Sequence, residues 1–193
     1  MTTKPLLNAF RDYLSLRAEK KVQEWVSAID WNMSERNLPA VRLPAERHLN
    51  GIDEFVGRGE KNLVNTFADL APNLHWLQSY KAEDVGEHMI ANYGFVELLG
   101  TRGHFSNNEF AGGVGIFGPG IHYPNHWHVA EECYFTLTGG GLWGRDDGPL
   151  VERAAGEFVF HESNMHHEMK VKDIPLLVAY LWRGGDLAQK SDF

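Results

Sequence analysis

A single cysteine, Cys133, in 193 residues excludes an intrachain disulfide framework and any cysteine-built zinc site, and it points to a reducing compartment. Positive charge is scarce as well: 18 Lys and Arg stand against 26 Asp and Glu, a formal charge of −8. Proteins that grip phosphate backbones carry a basic face from which counterions are released, so nucleic acid is excluded as a partner. No apolar run reaches the roughly 18 residues that span a bilayer. The opening MTTKPLLNAFRDYLSL interleaves charge with apolar residues, where a secretory signal would be continuously apolar. A cytoplasmic protein with no membrane partner is expected. Repeats, low-complexity tracts and Gly/Ser linkers are absent, so one compact unit is expected rather than a string of modules.

What is present is enough for a core: 43% hydrophobic and 23% charged residues fit a folded globular chain. The surplus is histidine. Six of the ten, His122, His126, His128, His161, His166 and His167, fall in one stretch of the C-terminal half.

From Lys4 to about Ile29 the apolar positions Leu7, Phe10, Leu14, Val22, Trp25 and Val26 recur at three- and four-residue steps, the period of an amphipathic helix. A second helix is expected from Ile52 to Leu70 with a break near Gly57 and Gly59, and a short one within Ala82–Tyr93. The texture then changes to short β-rich runs: Phe95–Leu99, Glu109–Phe117, Glu132–Thr138, Gly141–Gly144, Glu157–His161, His167–Val171 and Leu176–Trp182. Arg145-Asp-Asp-Gly148 reads as a hairpin turn. The expected architecture is mainly β, a barrel over residues 76–193 behind a helical N-terminal extension, residues 1–75, that caps this barrel or a neighbour's in a homodimer.

Chemistry concentrates in Gly120-Ile-His-Tyr-Pro-Asn-His-Trp-His-Val-Ala-Glu-Glu-Cys-Tyr-Phe-Thr-Leu-Thr-Gly139. If the run is extended, His126, His128, Ala130, Glu132 and Tyr134 share one face and converge on a cavity. Imidazole nitrogen and carboxylate oxygen suit Fe, Zn, Mn, Ni or Co, and three or four such donors with an open position make a catalytic site. Downstream, parity places His167 with Met169 and Val171, and His166 with Glu168 and Lys170. His167 is therefore the inward candidate and His166 its alternate. His161 reads equally as a neighbour of the site or as wall packing.

The spacing of Gly120, His126-x-His128, Glu132 and Gly139 resembles the first motif of the cupin superfamily, and Gly156 to His167 resembles its second, without the usual prolines. The resemblance implies a small jelly-roll barrel with His126, His128, Glu132 and His167 around one divalent transition metal. A narrower resemblance rests on Tyr123-Pro-x-His126-x-His128-x-x-Glu-Glu132-x-Tyr134, His167-x-Met169 and Pro175-Leu-Leu-x-x-Tyr180-x-Trp182-Arg-Gly-Gly. These residues are similar to those of the cupin dimethylsulfoniopropionate (DMSP) lyases, which release dimethyl sulfide and acrylate. That resemblance implies Tyr134 as the base, Tyr123 as a residue that holds or deprotonates substrate, and Trp182 as an aromatic face for the sulfonium. Because fold alone does not give function, three rivals stand beside this reading: a lyase-like cupin acting on another small carboxylate, an Fe(II) cupin dioxygenase, and a non-catalytic cupin that binds a small ligand.

Overall fold

The computed structural model describes residues 2–146 and 148–193. Five α-helices, α1 Lys4–Ser15, α2 Lys20–Ala28, α3 Lys61–Leu70, α4 Ala82–Val85 and α5 Glu87–Asn92, precede or interleave with the strands. The strands are β1 Trp76–Leu77, β2 Tyr93–Gly100, β3 Phe105–Ser106, β4 Phe110–Phe117, β5 His122–His126, β6 Glu131–Thr136, β7 Gly141–Arg145, β8 Val151–Arg153, β9 Phe158–His161, β10 His167–Val171 and β11 Leu176–Arg183. They form two sheets, β1-β2-β4-β11-β6-β9 with β3 at the edge, and β5-β10-β7-β8; apart from the short parallel β2–β3 contact, the pairings are antiparallel. This is the mainly β barrel with N-terminal helices that the sequence predicts.

The larger sheet separates two environments. On one face Val96, Leu98, Val114, Ile116, Cys133, Phe135, Ala179 and Leu181 are buried against Leu6, Phe10, Leu14, Trp25 and Phe67 of the helices. The N-terminal helices thus cap their own barrel. Trp25 sits between Phe110 and Phe160, with ring centroids 6.1 and 6.2 Å away. Burying aromatic area of this size dominates the energetics of such a layer. The other face of the sheet, by the alternation of strand side chains, carries Glu97, Tyr134, Tyr180 and Trp182 and looks into the barrel.

Several expected boundaries shift. The Lys4–Ile29 helix is two helices, because the side-chain amide of Gln23 donates to the Ser15 and Arg17 carbonyls and so satisfies the orphan acceptors where α1 ends. The apolar period runs through the break because both helices rest on the same sheet face. Ile52–Leu70 divides into a 3-10 turn, Ile52–Phe55, and α3, as the two glycines suggest. Gly86, at φ +85°, parts α4 from α5. Strands β1, β3, β5 and β8 escape the sequence reading, being two, two, five and three residues long. In the expected Arg145–Gly148 turn, Asp147 lies outside the described residues; β7 and β8 on either side pair antiparallel.

The premise that His126 to Tyr134 is one extended run is not met. β5 belongs to the smaller sheet and ends at His126, and the chain bends through Val129 and Ala130 before β6 begins in the larger sheet at Glu131. Convergence comes from this corner between sheets, not from strand parity alone.

Candidate metal centre and active site

The corner brings together one buried cluster of five potential ligands. The ligand atoms of His126, His128 and His167 lie within 4.8 Å of one another, and so do those of Glu132, His161 and His167. β10 pairs with β5 so that His167 stands opposite His126. β6 pairs with β9 so that Glu132 stands opposite His161, and with β11 so that Trp182 flanks it on the other side. All five residues are buried, none more than 2% exposed.

Three of the four histidines share an auxiliary contact. Nδ1–H of His126 donates to the Pro124 carbonyl at 2.7 Å, that of His128 to Ala130 at 2.9 Å, and that of His167 to Met165 at 2.8 Å. Each contact fixes the tautomer and leaves the Nε2 lone pair free, the arrangement seen for ligating imidazoles. Nε2 of His128 and of His167 lie 3.3 and 3.5 Å from Oε2 of Glu132. Donors bound at about 2.0–2.2 Å to one tetrahedral ion are spaced roughly 3.4 Å apart. Nε2 of His167 has no hydrogen-bond partner among the described residues, although it is fully buried. An orphaned ring nitrogen, a buried carboxylate and matching spacing fit a divalent cation.

Electrostatics agree. Burial pushes the Glu132 carboxyl up, but the close imidazoles of His128, His161 and His167 outweigh it and hold the group well below the usual carboxylate range. Burial, reinforced by neighbouring His167, drives His126 well below the ordinary imidazole value, so its ring is neutral. His128 is raised instead, because its contact with Glu132 overcomes burial.

The cavity beside the cluster is lined by Tyr80, Tyr123, Glu132, Tyr134, Tyr180 and Trp182, among others. Tyr134, half-buried, packs on Trp143 at 5.0 Å and near His161 at 5.9 Å. Burial first, and then the Glu132 charge, hold its phenol well above 10 in the absence of a cation. Tyr123 stacks on His126 with centroids 3.9 Å apart and shares a hydrogen bond with Tyr80. Trp182 donates its indole N–H to Oε1 of Glu132 and stacks on His128 at 4.2 Å. The same ring lines the cavity.

His166 points elsewhere. It stacks on Trp127 at 4.5 Å, outside the cluster. Tyr93 and Tyr180 were given no role by sequence reading, since an aromatic on a strand is ordinarily core, and Tyr80, in the loop after β1, was missed. So was the tail: Leu187, Gln189 and Ser191 line the cavity, and Asp192 exchanges two 3.0 Å backbone hydrogen bonds with Trp127, between the two ligand-type histidines.

Comparisons with known proteins place the chain in a family. The family model described as dimethylsulfoniopropionate lyase matches residues 3–178. The dimethylsulfoniopropionate lyase DddQ of Ruegeria pomeroyi is 24% identical over 177 residues, 92% of this chain and 88% of that protein. Its crystal structure superposes with a TM-score of 0.87 at 24% identity, covering 100% of this chain and 97% of that one. A structure reported with the DMSP lyases RdDddP and RnDddQII gives a TM-score of 0.89 at 28% identity, over 98% of this chain and 96% of that one. With a family model spanning nearly the whole length, the chain belongs to the dimethylsulfoniopropionate lyase family.

Proposed function

We propose that this protein cleaves dimethylsulfoniopropionate to dimethyl sulfide and acrylate by β-elimination, within a barrel formed by residues 76–193 and backed by the helical residues 1–75. The observation that carries the reading is the cavity whose wall joins Glu132, a member of the buried His/Glu cluster, to two phenols, Tyr134 and Tyr123. His126, His128, Glu132 and His167 would hold one divalent first-row ion, of Fe, Zn, Mn, Ni or Co, since the donor set accepts several of them. Bound there, the ion would supply Lewis-acid charge that favours phenolate over phenol and offsets negative charge developing on the substrate carboxylate.

The remaining chemistry belongs to the side chains. Tyr134, as phenolate, takes the proton from the carbon next to the carboxylate. The C–H electron pair becomes the C=C bond of acrylate, the C–S bond breaks, and its pair leaves on neutral dimethyl sulfide. Tyr123, fixed by His126 and Tyr80, holds the substrate's carboxylate end. The sulfonium has no N–H and is met by aromatic faces, among them Trp182, whose ring lies 4.2 Å from that of His128. Elimination consumes no oxidant, which separates this reading from a dioxygenase.

Tyr134→Phe tests the base. Turnover should fall by about 10²–10⁴-fold, the usual contribution of a positioned base, while metal content and KM stay close to wild type. Unchanged turnover in a metal-loaded Y134F protein would assign the proton to another group.

A further inference from the structure

His161 is buried, opposite Glu132 in the sheet, and unused by the reaction just described. Its Nδ1 lies 3.3 Å from Oε2 of Glu132, and its ring stacks on His167 with centroids 3.8 Å apart and planes at 21°. It differs from the three other histidines in one respect. Their Nδ1–H groups are tied to backbone carbonyls, leaving Nε2 as donor to a metal; His161 turns Nδ1 toward the carboxylate, and its Nε2 has no hydrogen-bond partner among the described residues. A ligating imidazole almost always passes its second N–H to an acceptor, and were Nδ1 of His161 the ligating atom its second N–H, on Nε2, would have none.

On the reading above, in which Glu132 is a metal ligand, we infer that His161 is a positioning residue for that ligand. Nδ1–H donates to Oε2 while the Trp182 indole N–H donates to Oε1, so the carboxylate is held from both sides by neighbouring strands. A free carboxylate rotates about two side-chain bonds. One clamped at both oxygens presents a fixed lone pair to the ion, and the stacking of His161 on His167 extends the restraint to a second ligand. Loss of such a partner weakens metal binding by about 10–100-fold while leaving the ligands in place.

The test uses cobalt(II) alone as probe, with affinity by chelator competition and geometry by the visible absorption of the bound ion. Asparagine places an amide N–H near the position of Nδ1, and glutamine near that of Nε2. His161→Asn should therefore retain near-wild-type affinity and spectrum, whereas His161→Gln and His161→Leu should lose about 10–100-fold in affinity and shift the spectrum. Wild-type binding and spectrum in H161L would overturn the role; H161N as damaged as E132A would make His161 a direct ligand instead. Wild-type protein loaded with cadmium-113 decides the same point without any variant: nitrogen NMR should show coupling to Nε2 of His126, His128 and His167 and an uncoupled, protonated Nδ1 on His161. Coupling to His161 would contradict the proposal. A wild-type protein that binds cobalt as described yet releases no dimethyl sulfide would refute the reaction and leave the His161 result standing.

Discussion

Among the histidines of the cluster, the contact made by the second ring nitrogen decides what the first can do. His126, His128 and His167 each spend Nδ1–H on a carbonyl two residues away, which costs nothing in reach and presets the tautomer. His166, just before β10 begins, stacks on Trp127 outside the cluster. Trp182→Phe is informative at this scale. It keeps an aromatic face toward the cavity but removes the N–H that holds Oε1 of Glu132, so both metal affinity and turnover should fall. Chelator competition alongside initial rates separates the two roles: loss of rate at full metal occupancy assigns the ring to substrate, and loss of metal assigns it to Glu132.

At the scale of the element, the cavity exists because the middle strand of the larger sheet has almost no side chains on its inner face. Gly113 of β4 pairs with Glu97 of β2 on one side and Tyr180 of β11 on the other. A Cβ at Gly113 would sit 1.9 Å from the Val96 carbonyl oxygen, a backbone contact that no rotamer relieves. Gly113→Ala should therefore force the strands apart and destabilise the fold by more than the ~1–3 kcal/mol usual for overpacking, seen as a large drop in unfolding midpoint or loss of soluble protein. By contrast, Trp25→Ala removes a buried ring from the helical layer. It should cost about 3–5 kcal/mol while leaving the metal site's cobalt spectrum intact. Much of this level was legible beforehand. His167–Val171 and Leu176–Trp182 stand within one residue of β10 and β11, since alternation marks the first and a short continuous apolar run bounded by Pro175 and Gly184 marks the second. The two- and three-residue strands were not, because their pairing is dictated by partners far away in sequence. The corner at Val129–Ala130 was missed for the same reason: alternation from His126 to Tyr134 looks unbroken, and only the second sheet reveals the bend.

The whole molecule joins a helical layer, a sheet shared by two environments, and a site at the junction of two sheets. The candidate ligands could be read because spacing along one segment brought three of the five donors close and alternation in a second marked His167. The role of His161 could not, because it depends on the cross-strand register of β6 with β9. No helix among the described residues is long and apolar enough to cross a membrane. Away from the site, burial, aided by neighbouring His75, lowers the pKa of His104; burial and Arg47 lower that of His48 against a raising contact from Asn92. Both are neutral in the fold and take up a proton more readily once unfolded. Their contribution to stability is therefore full above about pH 6.5 and is lost as pH falls from there toward their folded values. A thermal unfolding series from pH 7.5 to 5 should show a declining midpoint, with a shallower decline in His104→Gln.

The central claim concerns the reaction, and product stoichiometry tests it most directly. Metal-stripped protein, reconstituted in turn with Fe, Mn, Co, Ni and Zn, is given dimethylsulfoniopropionate, and dimethyl sulfide in the headspace and acrylate in solution are measured together. The account predicts equal amounts of the two products with at least one of these ions, none after chelation, and recovery when the ion is restored. Full occupancy of the His/Glu site by each ion in turn, with neither product released, would contradict it.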